Sequence, residues 1–359
     1  MTEFDYKDYL QSHLVDADGY QELSYPKDLT DFIKLDGNEN PYGPSDNVIK
    51  ALSQVNDLQL YPNSTDHLKE KIAQSLDVLT DNIVCGAGAD AVINLIFSSL
   101  KKDRVITTIT PTFGMYKFDA LMNNLGFIEI DFGEIAENSN TVYQFDLPST
   151  PQSQDVFIFA NPNNPTGQVI NRESVLRLLE QGCLVIIDEA YIKFSNHESY
   201  INLTKEYDNL IVIQTFSKWA GLAGLRIGYA VMHEKLASGL KAIQQPYTIT
   251  NYAMEAALIS LNDMQYLDSN IKIIKDTRDK FIEQLVDITN ITALPSEGNF
   301  VLLRLHKGSN VEFHKYMYDK KILIRSYSDD ILSKYVRISI GTPEDMKQVT
   351  AAIGEWDKQ

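Results

Sequence analysis

Cysteine is nearly absent from this chain: 359 residues contain only Cys85 and Cys183. Two cysteines support no disulfide framework, and the expectation is a reducing, cytoplasmic setting. Basic residues are also scarce, with 32 Lys and Arg against 49 Asp and Glu, a net charge of −17. That balance argues against nucleic acid or an anionic membrane surface as the principal partner. An anionic small molecule would need arginines gathered locally. No apolar run approaches the roughly 20 residues needed to cross a bilayer. The stretch Met1-Thr2-Glu3-Phe4-Asp5-Tyr6 lacks the basic and apolar blocks of a secretory leader. The histidines at 13, 67, 197, 233, 306 and 314 show no metal-ligand spacing, and neither a metal site nor a histidine-centred triad is expected. Repeats and low-complexity segments are missing too.

What is present reads as globular. At 44% hydrophobic and 23% charged, the composition is that of a packed protein rather than a disordered one. The length exceeds one typical domain and predicts two. Residues 1–44 read as an amino-terminal arm followed by a site loop, packing on the smaller domain or on a partner subunit. A short helix is expected around Tyr6 to Leu14. The loop Leu35-Asp36-Gly37-Asn38-Glu39-Asn40-Pro41-Tyr42-Gly43-Pro44 spends glycine, asparagine and proline so densely that it must be irregular and rigid. Residues 45–246 read as a large cofactor-binding domain and 247–359 as a smaller α/β domain.

In the large segment, strands alternate with helices. Ser45 caps a helix to about Val55, and Thr65 to Leu76 carries apolar residues at helical spacing. The run Ile83-Val84-Cys85 enters Gly86-Ala87-Gly88-Ala89-Asp90, and strand, glycine turn and helix together suit an anion. Tight turns use glycine anyway, so this pattern alone is compatible with plain structure. Further strands follow at Arg104–Thr108, Asp155–Ala160, Cys183–Ile187 and Leu210–Ile213, with a helix from Arg172 to Glu180. Alternation of this kind predicts a doubly wound, mostly parallel sheet, in which ligands sit at the carboxyl ends of the strands. Asn164, Asp188, Tyr191 and Lys218 all fall just past such ends. After Tyr247 a long helix is expected from Asn251 to about Val286, then strands at Asn299–Arg304, Ile322–Arg325 and Val336–Gly341.

The chemistry centres on Thr215-Phe216-Ser217-Lys218 and on Arg226, eight positions beyond the lysine. A lysine between a buried strand and a small-residue turn is poorly hydrated, which favours its nucleophilic neutral form. Taken alone, the pattern also fits an ordinary surface lysine after a strand. Beside hydroxyls and an arginine suited to phosphate, it points to pyridoxal 5′-phosphate, whose ring acts as an electron sink. Asp188 suits the pyridine nitrogen, and Tyr191 and Asn164 the ring hydroxyl. Arg226, Thr215, Ser217 and the backbone amides around Ala89 and Asp90 suit the phosphate.

Asn161-Pro162-Asn163-Asn164-Pro165-Thr166-Gly167, Asp188-Glu189-Ala190-Tyr191 and Ser217-Lys218 with Gly224-Leu225-Arg226 resemble the fold-type I pyridoxal-phosphate aminotransferases. Asn38-Glu39-Asn40-Pro41-Tyr42-Gly43-Pro44 and Val336-Arg337-Ile338-Ser339-Ile340-Gly341-Thr342 resemble the histidinol-phosphate aminotransferase branch. The resemblance runs from Leu35 to Thr342. It implies a homodimer with shared active sites, acting on an amino acid and a 2-oxo acid. Tyr61 matches a tyrosine that reaches the partner's cofactor phosphate, and Phe113 the aromatic stacked on the ring. Arg337 matches the arginine for the substrate α-carboxylate, Arg325 the one near the substrate phosphate, and Tyr20 an arm tyrosine that closes the neighbouring site. Asn38, in the site loop, is also assigned to substrate. The order Trp219-Ala220, Ala89 in place of a serine, and Thr248 in place of an asparagine depart from the family pattern. The expected reaction is transamination between histidinol phosphate and 2-oxoglutarate. The alternatives are an aromatic amino acid aminotransferase, a threonine-phosphate decarboxylase, and a silent regulatory protein on the same scaffold.

Overall fold

The structure is a computed structural model and describes residues 5, 7, 10–15, 25–56, 58–131, 142–143 and 155–358. In chain order the strands are β1 (Ile33–Lys34), β2 (Ile83–Gly86), β3 (Val105–Thr110), β4 (Gly126–Asp131), β5 (Val142–Tyr143), β6 (Val156–Ala160) and β7 (Val169–Ile170). There follow β8 (Leu184–Asp188), β9 (Leu210–Thr215), β10 (Gly228–Met232), β11 (Ile291–Ala293), β12 (Phe300–Leu305), β13 (Ile322–Leu323) and β14 (Tyr335–Ser339). The helices are α1 (Asp46–Leu52), α2 (Asp66–Leu76), α3 (Ala89–Ser99), α4 (Met115–Met122) and α5 (Arg172–Glu180). The remaining five are α6 (Glu234–Ile243), α7 (Asn251–Asn262), α8 (Met264–Gln284), α9 (Asn310–Asp319) and α10 (Pro343–Asp357).

A seven-stranded sheet in the order β2-β10-β9-β8-β6-β3-β4 organises the fold. From β9 to β4 neighbouring strands run parallel, while β10 is antiparallel to both β9 and β2. The apolar runs in these strands have the composition of strands covered on both faces. In β9, Leu210 and Val212 join one core cluster while Ile211 and Ile213 join the other, on the opposite face. Helices α3, α4 and α6 supply the second cluster through Ile93, Tyr116 and Leu240. Both faces being occupied, ligand access is left at the strand ends.

A smaller antiparallel sheet, β11-β12-β14, lies in the carboxyl-terminal part. The amino-terminal β1 pairs in parallel with β13, Ile33 opposite Ile322. Leu35 N then donates to Leu323 O, and Ser339 N donates to Leu35 O. These bonds carry the site loop into the groove between the two sheets.

Several expectations change in detail. Ser45 does cap α1, accepting from Val48 N, but the helix ends at Leu52. The long helix expected from Asn251 to Val286 is two, broken at Asp263. The break coincides with a tertiary contact: the Asp263 carboxylate takes hydrogen bonds from Ser45 Oγ and from Asn47 Nδ2, the latter at 3.0 Å, so the residue is held against α1. The helix expected near Tyr6 to Leu14 is described only as a 3₁₀ turn at Ser12–Leu14, and Tyr6 lies outside the described residues. Strands β4 and β10 and helices α4 and α6 were not anticipated. Edge strand β4 is largely exposed and carries no long apolar run. Among the described residues no helix is long and apolar enough to cross a membrane.

Candidate active site

Strands β6, β8 and β9 lie side by side, so the turns that follow them converge. Asp188 closes β8 and is buried. Its Oδ2 accepts from the Tyr116 hydroxyl at 2.8 Å and its Oδ1 from Ala190 N at 3.1 Å. Burial pushes its carboxyl up to about 6, against the hydrogen bonds from Tyr116 and Ala190. Lys218 lies beyond β9, its Nζ donating to the Gly37 carbonyl of the site loop at 2.8 Å. Burial pulls the amine down to about 8, and the Arg337 guanidinium adds to the effect.

Of the residues expected to hold a cofactor, all but Tyr61 line one cavity of about 140 Å³. Asp188 lines it as a buried carboxylate with no ion pair among the described residues. Also lining it are Arg226 and Ala89, where α3 begins and the first helical N–H groups have no partner within the helix. The backbone here comes very close: Gly88 has φ +89°, and a Cβ on it would lie 2.5 Å from Arg226 Nη2. Arg226 Nη2 also donates to Asp90 Oδ2 at 2.7 Å, an ion pair half exposed on both sides. Ser217 lines the cavity too. Thr215 is tied into the turn instead: its Oγ1 lies 3.0 Å from the Ile227 carbonyl and accepts from Ser217 N at 3.1 Å. A buried carboxylate, an anion cradle and an amine lowered by burial, all lining one cavity, fit pyridoxal phosphate.

A wider cavity of about 640 Å³ adjoins the first, sharing Phe113, Asn164, Tyr191 and Lys218 with it. Arg337 projects from β14 into it, its Nη1 donating to Asn164 Oδ1 at 2.6 Å and its Nη2 to the Asp36 carbonyl. Its Nε is buried with no partner. Arg325 lines the same cavity, twelve residues earlier in the chain. The two arginines face each other through paired backbone bonds, Arg325 N to Arg337 O at 3.0 Å and Arg337 N to Arg325 O at 2.9 Å. Asn38, in the left-handed conformation at φ 53°, donates from Nδ2 to the Tyr191 hydroxyl at 3.0 Å and accepts from the Ser339 hydroxyl at 2.9 Å. Burial pushes the Tyr191 phenol up to about 12, while nearby Arg337 favours its ionised form. Asn38 thus props the tyrosine while lining the wider cavity.

Two expected residues are not brought here. Tyr61 is 78% exposed and stacks on Tyr247, ring centroids 4.8 Å apart. Tyr20 lies outside the described residues. Tyr116 was missed; its spacing of three from Phe113 at the start of a helix is the signal that would have found it. No cluster able to hold a metal occurs among the described residues.

Residues 30–353 match the family model described as aminotransferase class I and II. The chain belongs to that family. A histidinol-phosphate aminotransferase from Dehalococcoides mccartyi strain BAV1 is 34% identical over 358 residues, covering 98% of this chain and 99% of that protein. A chloroplastic histidinol-phosphate aminotransferase of Arabidopsis thaliana is 36% identical, covering 88% of this chain and 76% of its own. Among solved structures, the histidinol-phosphate aminotransferase from Clostridium acetobutylicum superposes with a TM-score of 0.82 at 27% identity, covering 91% of this chain and 99% of that one. In this aminotransferase, then, the converging strand ends are the part of the fold to read for chemistry.

Proposed function

We propose that the chain is a pyridoxal-phosphate-dependent histidinol-phosphate aminotransferase of histidine biosynthesis. It would exchange an amino group between histidinol phosphate and 2-oxoglutarate in a ping-pong cycle, giving imidazole acetol phosphate and glutamate. The observation that carries the reading is the pairing, in one small cavity, of a lysine whose amine is lowered to about 8 with a buried carboxylate that has no ion pair among the described residues. The names of the similar proteins supply the substrate.

When bound, the cofactor supplies an electron sink for the bond broken at the substrate Cα. The chain's own residues do the rest. Lys218 would hold the cofactor through its amine and would serve as the base that moves the substrate Cα proton. Asp188 would keep the ring nitrogen protonated, Tyr191 and Asn164 would hold the ring hydroxyl, and Phe113 would cover the ring. Arg226, Ser217 and the first amides of α3, Ala89 and Asp90, hold the cofactor phosphate. Arg337 takes the α-carboxylate of the acceptor, 2-oxoglutarate. Arg325, paired to it across the backbone bridge, takes the phosphate of histidinol phosphate.

The same reading makes the protein a homodimer with shared sites, because Tyr61 is exposed and belongs to neither cavity of its own chain. It retains an arm and site loop at 1–44, a cofactor domain at 45–246 and a smaller domain at 247–359, supported by the separation of the seven-stranded sheet from the three-stranded β11-β12-β14 sheet. A reducing cytoplasmic compartment suits Cys85 and Cys183, both buried and neither in a disulfide.

The test is a donor panel on the reconstituted enzyme: histidinol phosphate, phenylalanine, tyrosine and threonine phosphate, followed by cofactor absorbance and product analysis. Histidinol phosphate should give the highest kcat/KM. Preference for phenylalanine would indicate an aromatic aminotransferase, release of carbon dioxide from threonine phosphate a decarboxylase, and silence on all four a regulatory protein.

A further inference from the structure

Phe113, just before α4, and Tyr116, in its first turn, stand three residues apart, their rings meeting edge-on with centroids 5.6 Å apart and planes at 87°. Phe113 faces the small cavity. Tyr116 is fully buried behind it, and its hydroxyl reaches the carboxylate of Asp188 at 2.8 Å. Ala190 N takes the other carboxylate oxygen at 3.1 Å. Each oxygen therefore has one donor, and rotation of the carboxylate would break both bonds. The lone pairs that remain are free for a group in the cavity that Asp188 lines.

We propose that Tyr116 is a positioning residue that aims the Asp188 carboxylate at the cofactor's ring nitrogen and stabilises its charge. The inference rests on the reading above that Asp188 partners that nitrogen. Among side chains of the described residues, Tyr116 is the one that hydrogen-bonds this carboxylate directly. The other titratable groups near it are Asp90, Glu189, Lys218 and Tyr191. Asp90 works against ionisation of Asp188 and Lys218 for it. A hydroxyl donor favours the ionised form, opposing the burial that pushes the carboxyl up.

Tyr116→Phe deletes one oxygen and keeps the ring and its edge contact, so the fold is expected to stand; a thermal midpoint within a few degrees of wild type checks this. Three readouts are taken. In cofactor-free enzyme carrying ¹³C-carboxyl aspartate, Asp188, identified by the signal lost in Asp188→Asn, should titrate at higher pH in Tyr116→Phe. In enzyme loaded with ¹⁵N-labelled pyridoxal phosphate, the ring-nitrogen signal should move toward the unprotonated position. With histidinol phosphate, kcat should fall about ten- to a hundredfold, the scale of one hydrogen bond to a charged group, while KM changes little. Phe113→Leu disturbs packing against the ring of Tyr116 and should leave the Asp188 titration in place. In an Asp188→Asn background, Tyr116→Phe should add almost nothing to either the nitrogen signal or kcat.

An unmoved Asp188 titration and nitrogen signal in Tyr116→Phe overturns the proposal, as does full additivity with Asp188→Asn. An Asp188→Asn enzyme whose nitrogen signal matches wild type would instead overturn the parent reading, and this inference with it.

Discussion

Lys218 sets a conflict between folding and reactivity that pH should expose. Its amine is lowered from 10.5 to about 8, chiefly by burial. At about 1.4 kcal/mol for each pH unit, so large a displacement corresponds to about 3 kcal/mol at most. Lys218 is only partly covered, water screens some of that, and about 1–2 kcal/mol is the working figure. The sign follows from proton uptake. Between pH 8 and 10.5 the unfolded chain holds a proton on this lysine that the folded chain has lost, so stability rises with pH across that window. Above 10.5 the relief is complete, and below 8 the penalty is fully present. Lys218→Met removes it. The variant also loses the bond to the Gly37 carbonyl, a pH-independent cost. The decisive quantity is therefore how the stability difference changes with pH. Urea denaturation of cofactor-free wild type and Lys218→Met, at pH 7 and pH 10, should show the variant's relative stability dropping by about 1–2 kcal/mol on going alkaline. A flat difference would mean that the native amine titrates normally and that the lysine is not primed by its surroundings.

Three further outcomes are expected. Asp188→Asn should fold but lose at least ~1000-fold in turnover, since a buried charge pair is worth several kcal/mol; steady-state kinetics with histidinol phosphate decides it. Arg325→Ala should raise KM for histidinol phosphate roughly ten- to a hundredfold while sparing phenylalanine, which has no phosphate to hold, on the scale of one charge-assisted contact; equal losses would assign Arg325 to structure. If Tyr61 serves the neighbouring subunit, Lys218→Ala and Tyr61→Ala chains should be poor separately and, unfolded and refolded together, recover about a quarter of wild-type activity, because half the dimers carry one intact site; no recovery would confine each site to one chain.

Much of this protein is decided by local residue pattern. Apolar runs such as Leu210-Ile211-Val212-Ile213 can satisfy both faces only inside a covered parallel sheet, and each chemical residue sits at the end of such a run. Asp188, Asn164, Tyr191 and Lys218 could thus be named from order along the chain alone. Tertiary structure decided what order does not encode. Whether β10 runs antiparallel depends on the path of the connection before it, and the break at Asp263 coincides with Ser45 and Asn47 reaching it from more than two hundred positions away. The pairing of Arg325 with Arg337, the prop of Asn38 under Tyr191 and the hydroxyl of Tyr116 on Asp188 join residues up to 153 positions apart. Sequence periodicity reports how a side chain faces its own element. A hydrogen bond between two elements depends on where the packed core places them, and only the folded chain fixes that.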